Sequence, residues 1–317
     1  MRTVALPDAA DLEAAAEVVG RTLRSTPVVP SPLLGPGVWL KLETLQPTGS
    51  FKVRGGLAAV AAAQRRQPGT PLVAASAGNH GLGVAYAADR LGADATVVVP
   101  RHASEAKVRA LAAYDVELVR DGDGYDEAER SAMAIAEAHG GRFVSPYNDP
   151  DVIAGQATVA TELLAQLPDL TTVVVPVGGG GLVSGIALAT EGTGVRIVGV
   201  EPDVNRTMSA AVAAGEAVPV VVGETIADGL AGNLEPGSVT VAIVVRHGVT
   251  MVSVSEEQIR IAIRFLAVEH GLVAEGAGAA AAAAVFSGRF RSDAGTTAVL
   301  VTGRNIDPVL LSSILAG

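Results

Sequence analysis

The sequence has no cysteine and few aromatic residues: none of its 317 residues is Cys, and only 3% are Phe, Trp or Tyr. Without thiols the chain cannot form disulfides, use a thiolate nucleophile or bind zinc through cysteine. A core poor in aromatics must be built from Ala, Val, Leu and Ile. That mixture is typical of helices packed on buried parallel strands.

Positive charge and long apolar segments are also scarce. Lys and Arg number 23 against 33 Asp and Glu, which gives a formal net charge of -10. This balance argues against a nucleic-acid surface and against an anionic-membrane surface. Each apolar segment is interrupted by charge or glycine before the ~20 residues that a membrane helix needs. The N-terminus has no basic region followed by an apolar run, so we expect a cytoplasmic protein that acts on a small molecule.

Short apolar strands alternate with helices along most of the chain. The clearest strand is 172–177, and the segment 71–145 contains three strand–helix pairs in succession. An alanine run at 279–284 predicts a tightly packed helix, although its start at Glu275 and Gly276 can still face a ligand. Alternation of this kind predicts an α/β fold with mostly parallel sheets flanked by helices.

Lys52 lies in a loop of turn-forming and small residues, 46–56. The aromatic Phe51 precedes it, and Gly49, Gly55 and Gly56 leave backbone room for a flat ligand. Such a setting suits a lysine that forms a Schiff base with an aldehyde. A surface lysine in a glycine-rich turn has the same spacing, so this loop alone does not decide between the two.

Four consecutive glycines follow the strand 172–177 and precede an apolar helix; they are Gly178, Gly179, Gly180 and Gly181. Exposed N–H groups at a helix start favour an anion, so the run predicts a phosphate site, with a flexible linker as the alternative. The spacing does not match Gly-x-Gly-x-x-Gly, and no Lys-Ser or Lys-Thr pair completes a Walker loop. Nicotinamide dinucleotides and ATP are therefore disfavoured.

Two polar turns complete the candidate site. Residues 76–81 bring a hydroxyl, an amide and helix-start N–H groups together, which can hold a carboxylate and a phenolic oxygen; an ordinary helix cap has the same pattern. The turn 301–307 places the hydroxyl of Thr302 directly after a strand, where a simple strand-ending turn is the alternative.

Taken in order, these loops resemble those of the fold type II pyridoxal-phosphate enzymes, in particular the serine/threonine dehydratase and serine racemase branch. The matching blocks are 46–55, 76–81, 152–156, 178–185, 225–229 and 302–307. The resemblance implies a two-domain, tryptophan synthase β-like architecture and a homodimer. The large domain that binds the cofactor would comprise 1–70 plus 146–317, and 71–145 would form a small, mobile domain that caps the substrate.

The resemblance also implies roles for single residues. Lys52 would form the Schiff base with pyridoxal 5'-phosphate, and Phe51 would pack against its ring. Asn79 would bond the phenolic oxygen, and Thr302, where relatives commonly have serine, would bond the pyridine nitrogen. The four glycines would hold the phosphate. The substrate carboxylate would be bound by Ser76, Ala77, Gly78, Asn79 and His80.

The activity implied is that of a dehydratase, or ammonia-lyase. It would convert a β-hydroxy amino acid of the threonine or serine type to a 2-oxo acid and ammonia by α,β-elimination, with Lys52 as the base. Three alternatives stay open. They are a lyase for another β-substituted amino acid, such as a hydroxyectoine-derived or aryl-serine substrate; an amino-acid racemase; and a non-catalytic protein that binds the cofactor.

Three positions depart from the family pattern. Ala77 stands where the racemases carry a second serine, which favours elimination over racemisation because alanine cannot exchange a proton. Glu201 matches one ligand of a divalent cation site found in several relatives, but Thr207 replaces a second acidic ligand, so Glu201 is only a weak metal candidate. Arg304 replaces a small residue, and the sequence does not indicate where it points.

Overall fold

The computed structural model describes residues 4–292 and 295–317. The strands in this part of the chain are β1 (Val28–Pro30), β2 (Val38–Leu42), β3 (Leu72–Ala75), β4 (Ala95–Val99), β5 (Glu117–Arg120), β6 (Arg142–Phe143), β7 (Leu170–Pro176), β8 (Arg196–Pro202), β9 (Thr250–Val254) and β10 (Thr296–Val301).

The α-helices of the same residues are α1 (Ala9–Thr22), α2 (Lys52–Arg66), α3 (Asn79–Leu91), α4 (Glu105–Leu111), α5 (Tyr125–Ala138), α6 (Pro150–Gln166), α7 (Gly181–Ala189), α8 (Thr207–Ala214), α9 (Val239–Arg246), α10 (Glu256–His270), α11 (Gly276–Phe286) and α12 (Pro308–Ala316). Three short 3-10 helices lie at Pro32–Leu34, Glu43–Leu45 and Asp228–Leu230. Among the helices described, none is long and apolar enough to cross a bilayer.

The strands form two sheets. The larger sheet has the order β1-β2-β10-β7-β8-β9, in which β1 pairs antiparallel with β2 and the other pairs are parallel. The smaller sheet has the order β5-β4-β3-β6 and is parallel throughout. The predicted α/β fold with parallel sheets flanked by helices is therefore confirmed.

The central strands of the larger sheet are covered by helices on both faces. On one face the alanines of α11 lie fully buried, as the alanine run predicts, together with Ile259 and Leu266 of α10. On the other face Leu163 of α6 and Ile186 of α7 pack on β7. Small side chains allow the helices to approach the sheet closely, which explains how a core with so few aromatics is filled.

The parallel arrangement brings the chemically interesting loops to the carboxyl ends of the strands. β7 and β10 are neighbours, and the glycine run follows β7 while Thr302 follows β10. In the smaller sheet, β3 ends at Ala75, directly before Ser76. Ligands of parallel α/β sheets bind at this edge, so the fold points to the same loops that the sequence singles out.

The division into domains stays a prediction. The four strands of the smaller sheet all lie within 72–143, inside the small domain predicted at 71–145. However, Leu57 and Val60 of α2, from the segment 1–70, share one buried core with Leu72 of β3. The helix that begins with Lys52 therefore also covers the smaller sheet.

Candidate active site

Lys52 is the first residue of α2, and its amine is directed at the polypeptide that follows the smaller sheet. Its Nζ donates a hydrogen bond of 2.8 Å to the carbonyl oxygen of Pro146, and it lies 5.3 Å from the centre of the Phe51 ring. Burial lowers the pKa of Lys52 to about 8, although the negative charge of Glu275 acts in the opposite direction. A lysine with such a pKa supplies a sizeable fraction of neutral, nucleophilic amine near neutral pH.

The position of Lys52 depends on a close crossing of α2 and α3. A Cβ atom on Gly56 would collide with the backbone of Gly83, and one on Gly83 would lie 2.7 Å from the carbonyl oxygen of Lys52. Only glycines permit backbones to pass at this distance. The crossing places the start of α2 beside the start of α3, where Asn79 lies.

The glycine run forms a tight connection between β7 and α7. Gly180 has a φ of 87°, and α7 begins at Gly181, so the run ends in the exposed N–H groups of a helix start. A Cβ atom on Gly179 would collide with the ring of Tyr147, the residue after Pro146. The segment 146–147 therefore contacts both Lys52 and the glycine run and brings these two predicted elements together.

Thr302 is buried in the turn after β10, which is joined to the lysine loop. Its carbonyl oxygen accepts a hydrogen bond of 3.0 Å from the N–H of Phe51, and Ser50 pairs with Gly303 in an antiparallel bridge. The Thr302 side chain is 3% exposed, and its hydroxyl group has no hydrogen-bond partner among the residues that the structure describes. A buried hydroxyl in this state is suited to a partner supplied by a ligand.

Asn79 is held by two side chains from other parts of the chain. Its Nδ2 donates a hydrogen bond of 2.7 Å to Oε1 of Glu275, and its Oδ1 accepts one of 2.6 Å from Nδ2 of Asn305. Burial, then the charge of Asp228, raises the pKa of Glu275 to about 7; the Asn79 bond and the positive charge of Lys107 act in the other direction. A carboxyl group of this kind changes its charge near neutral pH.

The turn predicted to bind the substrate carboxylate leads into α3. Ser76 Oγ accepts a hydrogen bond of 3.0 Å from the N–H of Gly78, which is the N-cap residue of α3. Ala77 packs beside Leu82 in a small apolar cluster. The free N–H groups of the helix start can bind an anion, so carboxylate binding by these residues stays a prediction.

The side chain of His80 faces the protein interior. It is 4% exposed, and its Nε2 donates to the carbonyl oxygen of Val144 at 2.9 Å. Burial, together with the positive charge of Lys52, lowers the pKa of His80 to about 3. The ring is therefore neutral near pH 7, and in this arrangement its backbone N–H is the group left to contribute to the predicted carboxylate site.

The two other departures from the family pattern have structural partners. Glu201 accepts hydrogen bonds from the N–H groups of Met208, at 2.6 Å, and Ser209, at 3.0 Å, and so caps the start of α8. No cluster of three or more potential metal ligands occurs in the described parts of the chain, 4–292 and 295–317. The guanidinium group of Arg304 donates to the carbonyl oxygen of Thr44.

Sequence reasoning misses Asn305 and Tyr147. Asn305 lies inside the matched block 302–307, but nothing local indicates that it reaches Asn79, which is 226 positions away in sequence. Tyr147 lies in a turn-rich segment that contains no recognised motif. The sequence marks Glu275 only as part of a helix start, and the signal that could have singled it out is a lone carboxylate between apolar segments.

Comparisons with known proteins cover almost the whole chain. The family model described as "Pyridoxal-phosphate dependent enzyme" matches residues 19–303. An L-threonine ammonia-lyase of Thermotoga maritima is 40% identical over 94% of this chain and 74% of that protein. A catabolic L-threonine dehydratase of Escherichia coli K12 is 37% identical over 87% of this chain and 85% of that protein.

Solved structures give the same result for the fold. A threonine deaminase from an organism abbreviated T.th. aligns with a TM-score of 0.86 and 36% identity over 95% of this chain and 99% of that one. The serine racemase of maize aligns with a TM-score of 0.90 and 29% identity over 98% of each chain. Both dehydratases and racemases thus share this architecture, and the site residues must distinguish between the two activities.

Proposed function

Because the chain belongs to the family of pyridoxal-phosphate-dependent enzymes, we propose that it is a dehydratase that converts L-threonine or L-serine to a 2-oxo acid and ammonia. The relatives named as threonine ammonia-lyases and dehydratases support this activity. The observation that carries it is Lys52, a buried amine that can act as a base near neutral pH, in a site where position 77 is alanine. An alanine has no proton to return to the substrate.

The residues present fit the cofactor pyridoxal 5'-phosphate. Lys52 is the amine that would bind its aldehyde, and the N–H groups from Gly178 to Gly181 would hold its phosphate. The buried Thr302 hydroxyl, which has no partner in the described structure, would face the pyridine nitrogen. When bound, the cofactor acidifies the Cα–H bond of an attached amino acid by accepting its electron pair.

The other steps belong to the residues of the chain. The helix start at 78–81, with the Ser76 hydroxyl, would bind the substrate carboxylate and orient the amino acid. Lys52 would take the Cα proton, and the Cβ–O bond would then break with loss of the hydroxyl as water. The released enamine takes up one water molecule and gives the 2-oxo acid and ammonia.

The activity is tested by incubating the purified holoenzyme with L-threonine, L-serine, an aryl-serine and hydroxyectoine-derived amino acids, and by measuring 2-oxo acid and ammonia. We expect equimolar products with L-threonine or L-serine. Turnover confined to a bulkier substrate would assign the enzyme to a modified β-substituted amino acid. Interconversion of enantiomers faster than 2-oxo acid release would instead identify a racemase, and binding of the cofactor with no turnover would identify a non-catalytic protein.

The assembly and location of the protein are separate proposals. We expect a homodimer in the cytoplasm, with the segment 71–145 moving as a unit over the substrate. Light scattering tests the dimer, and cell fractionation tests the location. A change in the spacing of labels placed on α4 and α9 upon substrate addition tests the motion.

A further inference from the structure

The Asn79 side chain has an orientation that its two neighbours define completely. Glu275 accepts the hydrogen bond at Nδ2, and Asn305 donates the one at Oδ1. An amide flipped by 180° would place its oxygen against a carboxylate and its NH2 group against another NH2 group, so a single orientation satisfies both contacts. One of the two hydrogens on Nδ2 is used by Glu275, and the second is available to another acceptor.

Glu275 and Asn305 are themselves fixed to the two loops that flank Asn79. The backbone N–H of Glu275 donates to the carbonyl oxygen of Gly303 at 3.0 Å, and a Cβ atom on Gly303 would collide with the Glu275 carboxylate. Asn305 Nδ2 also donates to the carbonyl oxygen of Thr48, at 2.8 Å, in the loop that precedes Lys52. The Glu275–Asn79–Asn305 chain therefore joins the start of α3 to the lysine loop and to the turn after β10.

We propose that Glu275 is a positioning residue that acts through Asn79: by accepting one hydrogen of Nδ2 it holds the amide so that the second hydrogen is presented to the cofactor. This inference rests on the proposed contact between Asn79 and the cofactor. It does not depend on which amino acid is the substrate. The buried carboxylate stabilises the amide orientation more strongly than a neutral group can, because hydrogen bonds to charged groups are the stronger ones.

The charge of Glu275 should therefore influence the cofactor through this bond. The titratable groups that face it are Asp228 of the 3-10 helix, Lys107 of α4 and Lys52 of α2, of which Asp228 and Lys107 pair with each other at 3.5 Å. Since burial raises the pKa of Glu275 to about 7, the carboxylate is charged above that pH and largely neutral below it. The hydrogen bond to Asn79 is then strongest on the alkaline side.

The test compares five holoenzymes and their apo forms: the parent, Glu275→Ala, Glu275→Gln, Asn79→Ala and the Asn79→Ala/Glu275→Ala double variant. The measurements are the dissociation constant of pyridoxal phosphate and the visible absorption spectrum of the holoenzyme between pH 6 and 9. Neither measurement requires turnover. Glu117→Ala serves as the control, because Glu117 bonds Thr96 at the amino edge of the smaller sheet, away from the site.

We expect Glu275→Ala to weaken cofactor binding about tenfold, the effect of one buried hydrogen bond to a charged group. Glu275→Gln keeps an acceptor oxygen and should bind the cofactor within about threefold of the parent, but should lose the spectral change near pH 7. The double variant should match Asn79→Ala alone, because removing Asn79 leaves Glu275 nothing to act through. The Glu117→Ala control should match the parent.

Two results would overturn the inference, and they are distinct from failure of the proposed site. Additive effects in the double variant, or a Glu275→Ala holoenzyme with the parent's affinity and spectrum, would mean that Glu275 does not act through Asn79. A spectral change near pH 7 that persists in both Glu275→Gln and Asn79→Ala would assign that change to another group and contradict the coupling. If Asn79→Ala itself leaves affinity and spectrum unchanged, the contact between Asn79 and the cofactor is wrong, and the inference falls with it.

Discussion

At the scale of the residue, the site is defined by how burial changes two ordinary side chains. Lys52 has a pKa lowered to about 8 by burial, and Glu275 has a pKa raised to about 7 by burial. Both groups therefore change charge within the range in which enzymes work, which is characteristic of functional sites. His80 differs, because burial and Lys52 keep its ring neutral and its Nε2 is bonded to Val144.

The lowered pKa of Lys52 predicts how the apoenzyme captures its cofactor. Only the neutral amine attacks an aldehyde, and with a pKa of about 8 roughly one tenth of Lys52 is neutral at pH 7 and about half at pH 8. The rate of cofactor binding, measured by stopped-flow absorbance, should rise with pH and level off above about pH 9. A rate that keeps rising tenfold per pH unit beyond pH 9 would indicate an unperturbed lysine.

The alanine at position 77 predicts the outcome of adding a hydroxyl group. Ala77→Ser supplies a proton donor next to the substrate-binding turn, so enantiomer interconversion should increase relative to 2-oxo acid release. Ala77→Val, which adds bulk but no exchangeable proton, is the matched control. Chiral chromatography of residual serine measures the ratio, and an equal ratio in the two variants would contradict the role given to this position.

How far the sequence predicts the site depends on the distance over which the contacts act. Lys52, the glycine run and Thr302 lie in loops whose residues mark them locally, and the family resemblance places them in order. The Asn79–Glu275 contact joins residues 196 positions apart, and no local pattern indicates it. The direction of the His80 ring is also hidden, since it depends on which carbonyl group lies behind α3.

At the scale of the element, the site depends on helices that pass one another at glycines. The crossing of α2 and α3 at Gly56 and Gly83 sets the distance between the lysine loop and the start of α3. A sequence-based reading treats such glycines as helix-weakening residues, because propensity takes no account of the neighbouring backbone. Packing decides their role here.

Gly56→Ala should therefore destabilise the apo protein by about 1–3 kcal/mol, since the new methyl group would meet the backbone of Gly83. Gly20→Ala in α1 is the matched control, because no atom lies within 4 Å of a Cβ at that position. It should be neutral or stabilise the protein by up to about 1 kcal/mol. Urea unfolding measures both variants, and equal effects would mean that the helices do not pass as closely as described.

At the scale of the whole molecule, a buried ionic cluster ties the lysine helix to the larger sheet. Arg54, two residues after Lys52, bonds Glu43 at 2.8 Å and Glu162 of α6 at 2.7 Å, while Lys41 of β2 bonds Glu162 at 2.6 Å. The side chains of Arg54 and Glu43 are fully buried. Unlike the fold class, this cluster could not be inferred from the sequence, because its charges look like those of any solvated surface.

Removing one member of the cluster should be far more costly than breaking an exposed ion pair. Glu43→Gln leaves the buried Arg54 undercompensated and should lower the free energy of unfolding by about 3–5 kcal/mol. Glu191→Gln, which breaks the exposed pair with Arg246, should leave the unfolding midpoint nearly unchanged. Denaturant titration compares the two, and a similar small effect of both substitutions would contradict the structural role of the cluster.

The most direct test of the central claim, that Lys52 is the residue that binds the cofactor, uses the small number of lysines in this chain. Lys41, Lys52 and Lys107 are its only lysines. Reduction of the holoenzyme with borohydride fixes pyridoxal phosphate covalently to the lysine that binds it, and mass spectrometry of the proteolytic peptides locates the added mass. The account predicts the label on Lys52 alone. A label on Lys41 or Lys107, or a holoenzyme of Lys52→Ala that retains the label, would contradict it.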